Sequence, residues 1–136
     1  MIDRRDPRAA DALVAGGVAG VVSGIPSTLH ALRRGIPLSA STVAAGTLLG
    51  KASIVRGLVA HAALSVTWAA VLARVLPSRH RIPTGALAGA AIAALDLGVF
   101  ARRYPAIRVL PQAPQLADHV LFGATVGAVL DARVRR

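Results

Sequence analysis

Four long apolar stretches, separated by short clusters of basic residues, organise the 136-residue chain. A helix that crosses the hydrocarbon core of a bilayer needs about 20 mostly apolar residues. The first stretch, about 12–32, carries no charge between Asp11 and Arg33. Pro26 lies inside it, which a bilayer helix accommodates as a kink. This run is too long for the apolar region of a signal peptide and no small-residue cleavage site follows it, so it reads as an uncleaved first span. The second stretch covers about 57–76. The third covers about 82–101, with Asp96 inside it. The fourth covers about 115–132, with Asp118 near its start and Asp131 near its end. Pro77 and Pro83 bracket one turn, and Pro105, Pro111 and Pro114 mark the last connection as non-helical.

Residues 37–50 break the pattern. Only 16 uncharged residues separate Arg34 from Lys51, which is about 24 Å as a helix. The piece is rich in Ser, Thr and Gly, and it predicts a short interfacial or partly re-entrant helix. The expected fold class is therefore all-α: one polytopic membrane domain over 1–136, with four transmembrane helices and the interfacial helix.

The chain also repeats itself. Gly16, Gly20 and Gly24, followed by Arg33-Arg34, match Gly85, Gly89 and Ala93, followed by Arg102-Arg103, at a constant offset of 69. Leu58, His61, Thr67, Ala70, Val71 and Leu72 match Leu116, His119, Thr125, Ala128, Val129 and Leu130 at an offset of 58. The spans then form two repeated hairpins, with both termini on one side and a pseudo-two-fold axis along the membrane normal. Each span carries small residues at four-residue spacing, including Gly16, Gly20 and Gly24 in the first and Gly123 and Gly127 in the fourth. Lipid offers little hydrophobic drive between helices, so such faces are expected to be where helices pack, within the chain or against another copy.

Composition narrows the class further. The chain is 54% hydrophobic and only 16% charged, whereas ordinary soluble domains carry roughly 25% charged residues. The absence of Cys removes disulfides, thiolate metal sites and thiol nucleophiles. A net charge of +10 would suggest nucleic acid if it formed a stripe, but the basic residues sit at the ends of apolar runs and only 3% of residues are aromatic. The expected partners are thus the lipid bilayer and either a second copy or a larger membrane complex, not nucleic acid. The side holding both termini carries nine basic residues and the other side seven, which favours cytoplasmic termini by a small margin.

Candidate chemistry is confined to one layer. His30, His61, Asp96, Asp118 and His119 fall on the same side of the membrane in this topology, within roughly 10 Å of one interface. Ionisable residues inside a membrane are costly and suggest function. These five could relay protons, hold a divalent metal, or clamp a haem between two histidines. They could equally tie helices together, with Asp96 paired to Arg102 or Arg103. Asp118 and His119 are adjacent, so their side chains diverge by about 100°. No His-Glu-x-x-His spacing, nucleophile elbow or phosphate-binding loop is present, so no catalytic residue or cofactor is assigned.

The segments PSTLHAL (26–32), AAGTLLG (44–50) and LPQAPQLADHVLFGATVGAVL (110–130) resemble those of small four-helix bacterial integral membrane proteins of unknown function. That resemblance implies a multi-pass protein of the cytoplasmic membrane and supplies no activity. Two roles follow as expectations. The first is an accessory or scaffolding subunit, or a homo-oligomer, packed through Gly/Ala faces; small size, short loops and no soluble domain favour it. The second is a proton- or ion-coupled carrier or a metal- or haem-holding anchor that uses the His/Asp layer.

Overall fold

The computed structural model describes residues 9–135. They form seven α-helices: α1 (Ala9–Val22), α2 (Ile25–Arg34), α3 (Ala40–Ala45), α4 (Ile54–Val75), α5 (Arg81–Gly98), α6 (Pro105–Arg108) and α7 (Gln112–Val134). Short 3-10 segments, Gly46–Leu49 and Phe100–Arg103, extend α3 and α5. No strand occurs among the described residues.

The first apolar stretch is a helix broken once. Pro26 has no N–H to bond to the carbonyl four residues back, and its ring crowds that carbonyl. The chain turns at Ser23-Gly24, and Pro26 becomes part of the first turn of α2. Gly24 therefore marks the break and meets no neighbouring helix. Gly35 ends α2 at φ 64°, and its N–H bonds to the Ala31 carbonyl. Such a left-handed closing residue favours glycine.

Three segments are long and apolar enough to cross a membrane: Ala9–Arg34, Ile54–Val75 and Arg81–Arg103. The fourth long helix, α7, has 23 residues but carries Asp118, His119, Asp131 and Arg133, which lower its hydropathy. Its place in the bundle explains how it tolerates them. No residue from Ala117 to Asp131 is exposed, because α7 packs on α5 along most of its length and also on α1, α2 and α4. Neighbouring helices thus cover much of its surface.

Residues 105–114, read from their prolines as non-helical, are largely helical. Pro105 opens the single turn of α6, Pro111 caps α7 and Pro114 lies in its first turn. Proline is tolerated in a first turn because the N–H it lacks has no intrahelical partner there. Within 37–50, α3 and its 3-10 extension pack on the start of α4. Gly57 of α4 allows this, since a Cβ there would strike the Thr42 carbonyl.

Small residues fill the contacts between the long helices. A Cβ on Gly85 would fall on the Gly123 carbonyl, and one on Gly123 would fall on the Gly85 carbonyl. Likewise Gly89 lies against the His119 carbonyl and Gly127 against the Arg81 carbonyl. Between α1 and α4, a Cβ on Gly16 would lie 3.0 Å from the Ser65 carbonyl oxygen, and one on Gly20 would lie 2.9 Å from Ser65 Oγ. Ala15, Ala19, Ala69, Leu72, Leu76, Ile92, Phe122, Val126 and Leu130 form the core between them. Larger apolar side chains such as Leu13, Val18, Leu58, Val59, Leu64 and Leu87 point outward. So many large apolar side chains on the outside is unusual for a protein surface in water.

Candidate functional site

The proline break in α1–α2 creates the first element of the polar layer. A helix start leaves its first N–H groups without intrahelical partners. Ser27 is in the first turn of α2, and its N–H donates to Asp118 Oδ1 of α7 at 2.9 Å. Asp118 thus caps α2 from another helix, and its negative charge suits the positive end of the helix dipole. The Asp118 carboxylate also lies within electrostatic reach of His119 and His61.

His119, one residue on, points to a different neighbour. Its Nε2 lies 3.0 Å from Asp96 Oδ2 on α5, and its Nδ1 lies 2.7 Å from the Gln115 carbonyl oxygen. The carbonyl can only accept, so Nδ1 carries a proton and donates. One further proton then lies between Nε2 and Asp96. Whether it resides on the imidazole or on the carboxyl, the pair has no net charge, which suits a low-dielectric site. Arg102 and Arg103, also considered as partners for Asp96, are exposed.

His61 takes a third direction. Its Nε2 lies 2.7 Å from the Gly20 carbonyl oxygen of α1, an acceptor-only group, so the ring donates there. His30 lines a small cleft with Ser27, Ser41, Pro111 and Gln115. Gln115 Nε2 donates to Ser41 Oγ at 3.1 Å, which ties α7 to α3. The layer is therefore a set of separate ties: Asp118 to α2, His119 to α5, His61 to α1. Among the described residues, no three His, Cys, Asp or Glu side chains come together as a metal site.

The opposite end of the bundle holds an ionic cluster that the sequence reading passed over. Asp11, only 1% exposed, accepts from Arg133 Nε at 2.7 Å. Asp131 lies 3.6 Å from Arg81 Nη1 and 3.2 Å from Arg135 Nη2. A signal for it existed: α1 begins and α7 ends at the same face, so an acid in the first turn of one faces a base in the last turn of the other. Both charges also complement the dipoles of their own helices.

No protein-family model, curated protein or solved structure matches the chain.

Proposed function

We propose that the chain is a four-span protein of the bacterial cytoplasmic membrane, built as two repeated hairpins, that serves as an accessory or scaffolding subunit. Its assembly is a homo-oligomer or a larger membrane complex. The observation that carries this reading is the use of the polar layer: His61, Asp118 and His119 each bond to a different neighbouring helix. Side chains committed to such ties act as a clasp.

Two further observations support it. Gly16 approaches the Ser65 carbonyl as Gly85 approaches the Gly123 carbonyl, and these contacts are related by the offsets of 69 and 58 found in the sequence. The outward Leu and Val side chains suit lipid or a partner helix better than water. Gly16, Gly20, Gly85, Gly89, Gly123 and Gly127 are occupied within the chain, so an assembly would use the outer Leu/Val ridges. A proton-carrying role has one observation in its favour: His119 Nε2 lies 3.0 Å from Asp96 Oδ2, and the two side chains are 23% and 28% exposed.

Purification in mild detergent with native mass analysis and an absorbance spectrum tests the reading. The expected result is a defined oligomer or a stoichiometric membrane partner, with no haem band and no bound metal. A monomer that drives pH-dependent ion flux in liposomes, with flux lost in His119→Ala, would overturn it.

A further inference from the structure

The turn between α4 and α5 opens onto a pocket of about 550 Å³, lined by Arg79, His80, Arg81, Ile82, Asp131 and Arg135 among others. Among the described residues, three arginines there face one carboxylate, Asp131. Arg81 is only 4% exposed, and its buried Nε and Nη1 make no hydrogen bond. It forms an ion pair with Asp131, whose Oδ1 lies 3.6 Å from Nη1, beyond hydrogen-bond length. A buried guanidinium with idle donors is costly and calls for an acceptor.

The same pocket contains the start of α5. His80 caps this helix in a left-handed conformation, φ 58° and ψ 34°, with no side-chain capping bond. The first intrahelical bond runs from Thr84 N–H to the His80 carbonyl. The N–H groups of Arg81 and Ile82 therefore precede the hydrogen-bonded ladder and lie at the positive end of the dipole. Backbone donors at a helix start combined with arginine are the usual cradle for a tetrahedral oxyanion.

We propose that this pocket binds a phosphate-bearing anion, with Arg81 as the buried anchor and Arg79 and Arg135 as the outer clamp. The shared chemistry is a phosphate oxygen accepting from guanidinium and helix N–H groups. Its position at the end of the long helices favours the headgroup of an anionic phospholipid, a choice of source that rests on the membrane reading above. Free phosphate offers the same oxygens without the acyl chains.

The test is thermal unfolding of the detergent-purified protein, followed by fluorescence of Trp68, its single tryptophan. The probes are dihexanoyl phosphatidylglycerol, dihexanoyl phosphatidylcholine and sodium phosphate, each at constant ionic strength. Phosphatidylglycerol is expected to raise Tm by about 5 °C at saturation, and phosphatidylcholine to leave it unchanged. Arg81→Met, and separately Arg79→Gln with Arg135→Gln, should abolish that rise. If Arg81→Met fails to fold, the exposed double variant still decides the matter. A rise with phosphate as well assigns the site to small free anions, and a rise with phosphatidylglycerol alone assigns it to lipid. No rise with either, an equal rise with phosphatidylcholine, or a rise that survives both variants overturns the proposal. The phosphate arm needs no bilayer, and fractionation of cell membranes before extraction tests the membrane reading by itself. Failure of one is therefore distinguishable from failure of the other.

Discussion

Gly123→Leu is expected to abolish the folded bundle. Gly123 and Gly85 are opposed glycines at the α5–α7 contact, where each backbone fills the space a side chain would need. The obstructing atoms are carbonyl groups inside helices, which cannot swing aside as the tip of a lysine could. Leucine must force the two helices apart, and that separates the most extensive contact in the chain. Overpacking in a core typically costs about 1–3 kcal/mol, and loss of this close approach should carry the change beyond the upper figure. Size-exclusion chromatography in detergent should show aggregate, with no cooperative unfolding transition. Gly17→Leu is the control: nothing lies within 4 Å of its added Cβ, and its Tm should stay within about 2 °C of the parent. A cooperative transition in Gly123→Leu close to that of the parent would show that α5 and α7 do not meet backbone to backbone.

Arg133→Ala is expected to destabilise the protein by about 3 kcal/mol, the range found when one partner of a buried ion pair is removed. The Asp11 side chain is 2% exposed, while Arg133 reaches the surface at 34%. Loss of the arginine leaves a carboxylate inside the bundle without this counterion. Loss of Asp11 leaves a guanidinium that can turn toward water, so Asp11→Ala should cost less. Arg133→Lys should fall between, since an ammonium keeps the charge but lacks the planar fork. Chemical denaturation of the single variants and the double variant gives the coupling energy directly. A coupling near zero would mean that the pair does not hold α1 to α7.

The apolar periods made the long helices legible, and the proline made the break in the first one legible. The sequence did not show what the break exposes. Only once α7 lies beside α2 does Asp118 become the acceptor for the Ser27 N–H. The prolines at 105, 111 and 114 misled because a breaker inside a helix is an ordinary residue in its first turn, and one-dimensional context does not separate the two. Asp11 and Arg133 looked like flanking charges because their pairing spans 122 positions and depends on which helices are neighbours. The small-residue stripes were visible, but not their partners: Gly20 meets α4, Gly89 meets α7, and a side chain on Gly24 would touch only Val21 of its own α1. The His/Asp layer was legible as a common depth, and its division into separate ties follows from the 100° rotation between adjacent helical residues.

In the proposed topology α7, despite its four ionisable side chains, crosses the membrane as the fourth span. The chain contains no cysteine, so single cysteines report sidedness without interference. Val109 is 80% exposed just before α7, and Arg135 is exposed just after it. Val109→Cys and Arg135→Cys are labelled in sealed spheroplasts with a membrane-impermeant maleimide, before and after permeabilisation. The expected result is that Val109→Cys reacts in intact spheroplasts and Arg135→Cys reacts only once they are opened. Labelling of both positions from the same side would contradict the four-span account.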